Sequence, residues 1–430
     1  MLFSFLGAPW RALLVVLALG GGGSLLAPDA LARERAASNG GSGAKPEAYA
    51  SQERRVAHSR TRDGEAEARL LNVYRLIGQN QTREALAQAE ALLREHPNFQ
   101  LAQLVYGDLL NARRGAARDL RNLPPAAAAT LGELQEESAL RLRALRERPA
   151  PGLVPANFLQ VAPRSRHAIA VDASRSRLYL FENTAQGLKL IADYYVSVGK
   201  LGVEKSLEGD QRTPLGVYYI TSSLDGRKLK DFYGAGALPI NYPNPLDLRR
   251  GKTGSGIWLH GTPPDQFSRA PKASDGCVVV ANPDLERILR TVQVRTTPVV
   301  IATSLQWVKP EALAAEREGF GAAFAAWQQT KLGGDLAKLM AFYTDDFSSY
   351  GKNLAEWSAT LEKSLSRNQG RAMQIKDLSL IRWRDVHDTM VTTFGEVPAG
   401  ASTGTVRRQY WQKNGAANDR WKIFFEGVIG

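Results

Sequence analysis

The only cysteine of the 430-residue chain, Cys277, stands in the run Ser274-Asp275-Gly276-Cys277-Val278, and His260 stands 17 residues upstream in Trp258-Leu259-His260-Gly261-Thr262. A thiol becomes a nucleophile when a base takes its proton, and attack on a carbonyl needs donors for the oxyanion that forms. His260 can be the base. The backbone N–H groups of Gly276 and Cys277 can be the donors, because a glycine lets the main chain turn sharply and approach a substrate. The imidazole must be held in one orientation, and a carbonyl such as that of Gly261 can hold it. A lone cysteine also reads as a small buried hydrophobe. The other four histidines, His58, His96, His167 and His387, show no metal-ligand spacing, and there is no second cysteine. Neither a zinc site nor any other cofactor is therefore expected. Gly251-Lys252-Thr253 lacks the glycine that a phosphate loop needs five residues earlier, where Leu246 stands, and it reads as a turn.

These residues need a scaffold that brings two strand ends together. From Arg166 to Thr303 the apolar period is that of strands: 167–171, 177–181, 188–198, 216–221, 257–260, 277–280 and 299–302 are short β-branched or aromatic runs separated by Gly, Pro, Asn and Asp. Only 284–291 has helical spacing. A mainly-β domain over 163–304 is expected to hold every chemically suggestive residue.

The motif residues resemble the L,D-transpeptidase (YkuD-type) catalytic domain, whose signature is His-Gly, a gap of about sixteen residues, then Ser/Thr-x-Gly-Cys. Asp210-Gln211-Arg212-Thr213-Pro214-Leu215-Gly216 is similar to the family's upstream Asp-x-x-Thr-Pro-x-Gly turn, and Asn282-Pro283-Asp284 to the Asn-x-Asp after the cysteine. The resemblance implies Cys277 as nucleophile, His260 as general base, the Gly261 carbonyl as its orienter, and the Gly276 and Cys277 amides as oxyanion hole, with Ser274 and Asp275 beside them. Two positions depart from the family pattern. Asp275 stands where His or Arg is common, and Val279 where an Arg commonly follows the cysteine. An anion beside the thiol disfavours thiolate and repels a substrate carboxylate. Arg212, Arg269 and Lys272 are candidates to compensate, and Arg212, Asn241, Trp258 and Arg269 are candidate substrate-binding residues. The resemblance implies thioester chemistry on peptidoglycan tetrapeptide stems. Resolution by a stem amine is L,D-transpeptidation, and resolution by water is L,D-carboxypeptidation.

Residues 1–32 read as a secretory signal peptide: Arg11 precedes the apolar run 12–19, and Ala30-Leu31-Ala32 fits a cleavage site. An uncleaved membrane anchor is the alternative, and export, to the periplasm, is expected either way. Residues 33–61 read as a flexible linker. Over 62–150 the apolar spacing is helical, and Gly78, Ala85, Leu86, Ala89 and Pro97 resemble one tetratricopeptide-type helix pair, with an ordinary helical hairpin as the alternative. Residues 310–430 place helices carrying Phe320, Phe324, Trp327 and Trp357 ahead of strands, an α+β layout similar to the NTF2-like cone. The expected fold is thus multidomain: an α-helical N-terminal region, a mainly-β catalytic domain and an α+β NTF2-like C-terminal domain. The last is expected to be separable, so that removing 310–430 leaves a soluble protein. This layout resembles the cell-shape-determining L,D-carboxypeptidases of helical bacteria.

The excess of 55 Lys and Arg over 43 Asp and Glu, a net +12, favours anionic partners. With export expected, that means peptidoglycan and not nucleic acid. The helical region and the NTF2-like domain are candidate surfaces for a protein partner or self-association. A non-catalytic wall-binding protein with an inert Cys277 is the competing reading from another class.

Overall fold

The computed structural model describes residues 64–115, 123–368, 373–413 and 420–429. The expected signal peptide and linker lie outside them. Among the described residues no helix is long and apolar enough to cross a membrane. The chain divides into two compact units, 1–146 and 147–430.

In the first unit the helical spacing is borne out by α1 (Glu65–Gly78), α2 (Thr82–Glu95), α3 (Gln100–Arg113) and α4 (Pro125–Arg146). Helix α1 buries Leu70, Val73 and Tyr74, α2 buries Ala85, Ala89 and Leu92, and α3 buries Leu101, Val105 and Leu109. The long charged helix α4 is tied down by polar contacts. Arg141 lies buried against Glu67 at 2.8 Å and Glu137 at 2.7 Å, and Tyr74 Oη meets Ser138 Oγ at 2.9 Å. A buried charge persists only when paired in this way.

The second unit holds, among the described residues, two large sheets and two two-stranded ones. The strands are β1 (Val154–Pro155), β2 (Phe158–Gln160), β3 (His167–Asp172), β4 (Arg177–Thr184), β5 (Gly187–Gly199), β6 (Gly216–Tyr219), β7 (Leu224–Asp225), β8 (Gly236–Pro239), β9 (Trp258–His260), β10 (Lys272–Ser274), β11 (Val278–Val280) and β12 (Pro298–Ala302), then β13 (Trp307–Val308), β14 (Ser348–Ser349), β15 (Lys352–Asn353), β16 (Met373–Arg384), β17 (Asp388–Pro398), β18 (Thr405–Lys413) and β19 (Trp421–Val428). The catalytic-domain sheet runs β6-β12-β3-β4-β5-β11-β9-β8-β7, with β10 also on β5. One core, built from Leu178, Leu180, Val196, Leu259 and Val278 on the strands, packs against Leu285 and Ile288 of α6 (Asn282–Thr291). A second helical turn, α5 (Pro245–Arg249), departs from the expectation of a single helix. It forms because Asn244 accepts from the amides of Leu246 and Asp247 while the Asp247 side chain answers to the Asn244 amide, with Pro245 fixing the first helical position.

The C-terminal sheet runs β19-β18-β17-β16-β2. Its strands are apolar on both faces, and the residue pairs split between two cores. Leu380, Met390, Trp411 and Ile423 join Phe320, Phe324, Trp327 and Trp357 of α7 (Ala314–Leu332) and α9 (Leu354–Asn368); α8 (Leu336–Met340) adds Leu339. Their neighbours Ile381, Val391, Tyr410 and Phe424 point the other way, onto Ala168, Ala170, Tyr179, Phe181, Tyr219 and Val300 of the catalytic sheet. This is the period-two alternation of a sheet packed on both sides. The two domains therefore share a core. Arg250 is bidentate to Asp385 at 2.5 and 2.7 Å, and Arg249 pairs with Asp346 at 2.5 Å. The separability expected of 310–430 does not fit this packing. Strand β2 strengthens the point: it precedes the catalytic domain in the chain yet pairs with β16, Phe158 opposite Ile381.

Candidate active site

Strands β9 and β11 lie side by side and parallel, Leu259 opposite Val278 and His260 opposite Val279. Side chains alternate along each strand. Trp258 and His260 of β9 therefore share a face with Val279 and, one step before β11, with Cys277. The sequence separation of 17 residues closes into two neighbouring positions on one sheet face. The Trp258 amide donates to Cys277 Sγ at 3.4 Å, and the thiol reaches the Gly256 carbonyl at 3.5 Å.

The turn before Cys277 is closed by Ser274, whose hydroxyl donates to the Cys277 carbonyl at 2.6 Å and accepts from the Gly276 amide at 3.1 Å. Gly276 has φ +123°, and a Cβ there would stand 2.7 Å from the Arg212 carbonyl. Only glycine fits. Of the two amides expected to form an oxyanion hole, that of Gly276 is already engaged by Ser274 in this state, so a substrate oxyanion would compete with that hydroxyl for it.

His260 is buried and its Nδ1 lies 2.7 Å from the Gly261 carbonyl. A carbonyl only accepts, so Nδ1 carries the proton and Nε2 is left with its lone pair free to accept one. Gly261 sits where a Cβ would run into Asn282 Oδ1 at 2.1 Å. Asn282 accepts from the Ala235 and Thr262 amides and donates to the Thr262 carbonyl, stitching the end of β9 to the loop before β8. That loop brings Phe232 and Tyr233, with ring centroids 5.7 and 5.1 Å from the imidazole, and Tyr233 also stacks on Trp258 at 4.8 Å.

Burial sets the protonation states of both groups. Burial pushes the His260 imidazole down to about 4, the Gly261 carbonyl works against the shift, and the positive field of Arg269 adds to it. Burial pushes the Cys277 thiol up to about 11; the Trp258 amide pulls it back, Asp275 raises it, and Arg269 and Lys205 lower it. At neutral pH both groups are therefore uncharged, and an attacking thiol here would have to pass its proton to Nε2 as the bond to carbon formed. The acid limb of kcat/KM is therefore expected near pH 4 and not near the ordinary histidine value of about 6.5. A pH–rate profile with its acid limb between 6 and 7 would overturn this. The same shift is a stability statement: a folded-state value below the unfolded one gives stability present above about pH 6.5 and lost as pH falls toward 4, roughly 3 kcal/mol in all.

The upstream turn is a frame for the site. Although burial opposes its ionisation, Asp210 is held at about 2 by Lys205 and the amides of Ser206, Leu207 and Arg212. The Thr213 hydroxyl accepts from the Gly199 amide at 2.9 Å. Arg212 faces Gly276 with its carbonyl, while its guanidinium donates to the Val203 carbonyl at 3.0 Å. Asn241 has its contacts elsewhere: its side chain accepts from the Tyr219 amide at 2.6 Å and reaches the Tyr410 hydroxyl. Asp275 is exposed and paired with Lys200 at 2.9 Å. The structure thus gathers Cys277, His260, Gly261, Ser274, Gly276, Trp258 and Arg269, and leaves Asn241 at the inter-domain seam. Phe232, Tyr233 and Lys200 were not singled out from sequence. The aromatic pair Phe232-Tyr233 in a Gly-flanked loop was the available signal.

A separate cavity of about 870 Å³ lies in the C-terminal domain, lined among others by Glu316, Phe320, Arg382, Arg384 and Trp421.

Residues 166–301 match the L,D-transpeptidase catalytic domain family (YkuD), and 320–427 match the Cds6 C-terminal NTF2-like domain. The chain thus carries an L,D-transpeptidase catalytic domain and an NTF2-like domain behind a helical region. Among solved structures it is similar to Bd1075 of Bdellovibrio bacteriovorus, at 27% identity and TM-score 0.54 over 64% of this chain and 98% of that one. It is also similar in fold to the helical cell shape determining protein Pgp2 of Campylobacter jejuni, at 19% identity and TM-score 0.51 over 64% of this chain and 95% of that one. No curated protein matches. The catalytic domain supports a peptidoglycan-modifying enzyme acting outside the cytoplasm.

Proposed function

We propose that this protein is an exported cysteine acyltransferase of peptidoglycan, with Cys277 as nucleophile and His260 as general base. The observation that carries the reading is the adjacency of Cys277 and His260 on one sheet face, with His260 Nδ1 tied to Gly261 and Nε2 left to accept the thiol proton. Cys277 Sγ attacks the carbonyl of the third stem residue while its proton passes to His260 Nε2. The C–N bond to D-alanine then breaks, the leaving amine takes that proton, and a thioester remains. A stem amine resolves the thioester to a 3,3-type cross-link, and water resolves it to a tripeptide.

The catalytic domain alone supports the L,D-transpeptidase reading. The L,D-carboxypeptidase reading is favoured by the layout, because the catalytic and NTF2-like domains together have the fold of Pgp2, a helical cell shape determining protein. The residues 1–32 supply the leader that export requires.

Purified tetrapeptide fragments incubated with the full chain and followed by mass spectrometry test the proposal. Cysteine-dependent 3,3-linked dimers are the result expected of a transpeptidase. Tripeptide monomers with free D-alanine are that of a carboxypeptidase. No change in the fragments would put a wall-binding module with an inert thiol in its place.

A further inference from the structure

The reading above needs a cation to receive the free carboxylate of the leaving D-residue, and Val279 leaves β11 without one. The basic side chains around Cys277 are mostly occupied. Lys200 is paired with Asp275, Lys205 with Asp210 and the Leu207 carbonyl, and Arg212 with the Val203 carbonyl. Arg269 differs. It lies on the connection between β9 and β10, its carbonyl fixed by the Tyr195 hydroxyl at 2.9 Å. Its guanidinium carbon sits 4.5 Å from the centre of the Phe232 ring, the ring that also stands 5.7 Å from His260. Its Nε is buried with no hydrogen-bond partner. Asp275 and Asp265 are the carboxylates whose fields reach it, and neither is bonded to it.

Resting on the proposed function, we infer that Arg269 is the anchor for the terminal carboxylate of the leaving residue. A half-buried guanidinium held over an aromatic ring keeps its charge while offering a fork of donors, the geometry that fits a carboxylate bidentately. One aromatic ring separates it from His260. The orphaned Nε gains the partner it lacks only when substrate is bound. Asp275, paired with Lys200, is thereby kept from taking that place.

The test compares D-alanine release from a tetrapeptide stem with alaninamide release from the same stem carrying a C-terminal amide, in the full chain and in Arg269→Ala and Arg269→Lys. The unaltered protein is expected to favour the free acid by about 10- to 100-fold in kcat/KM. Arg269→Ala is expected to bring that ratio close to one, mainly through KM. Arg269→Lys is expected to keep part of it, because charge without the fork attracts but does not orient. Equal rates on acid and amide in the unaltered protein overturn the inference whether or not the variants fold, while leaving the proposed function standing. Release from neither substrate removes the proposed function, and this inference with it.

Discussion

Cys277→Ala is expected to remove D-alanine release from tetrapeptide stems to the uncatalysed background, a loss of about 10⁴-fold or more. The reaction has no other thiol available, since the chain contains one cysteine. The fold is expected to survive. Sγ makes only the long contacts at 3.4 and 3.5 Å to Trp258 and Gly256, and losing such weak bonds costs on the order of 1 kcal/mol. His260→Ala is expected to be equally inactive for a different reason: Sγ is a neutral thiol and keeps its proton without Nε2. Thermal melts beside the turnover assay check both. Turnover retained in either well-folded variant would mean that the chemistry lies elsewhere.

Deleting 310–430 is expected to yield an aggregating or largely unfolded remainder. It strips Ile381, Val391, Tyr410 and Phe424 from the outer face of the catalytic sheet and leaves Phe158, Tyr179, Phe181, Tyr219 and Val300 uncovered. Returning large apolar side chains to water costs about 1.5–3 kcal/mol each. Five of them amount to roughly 10 kcal/mol, comparable to the whole margin of a domain at about 5–15 kcal/mol. The deletion also orphans β2, whose partner β16 is gone. Circular dichroism and size-exclusion chromatography of the truncated chain decide the matter, and a monomeric remainder that melts like the full chain would mean that the shared core adds no stability.

The turns that frame Cys277 and His260 were legible from sequence because each is local: a strand end, a glycine turn, an Asp or Asn that answers its own loop. The strands β3, β4, β5 and β12 were legible because each is a β-branched or aromatic run bounded by turn residues. What escaped was non-local. Strand β8 stands outside the runs that read as strands and becomes one by pairing with β7 and β9. The walls Phe232 and Tyr233 come from a stretch without periodicity, placed by Asn282 from beyond the cysteine. Asn241, a substrate-binding candidate from sequence, has its contacts with Tyr219 and Tyr410. The doubled apolar faces of β16 to β19 announce a sheet covered on both sides, yet nothing in the one-dimensional pattern says that the second cover is the catalytic domain.

The short strand β2 has a consequence for the order in which the protein assembles. Gln160 donates to the carbonyl of Leu378, 218 positions later. The edge of the C-terminal sheet is thus laid down before the catalytic domain is made and finds its place only after the last hundred residues exist. Contacts so distant in sequence are reached late and slowly, because the loop must close before they contribute. The catalytic strands cannot finish as an independent folding unit in chain order. Their outer face stays open until the C-terminus arrives, and for that interval the half-made protein carries an exposed apolar surface beside an unpaired strand, the combination most prone to mispairing between chains.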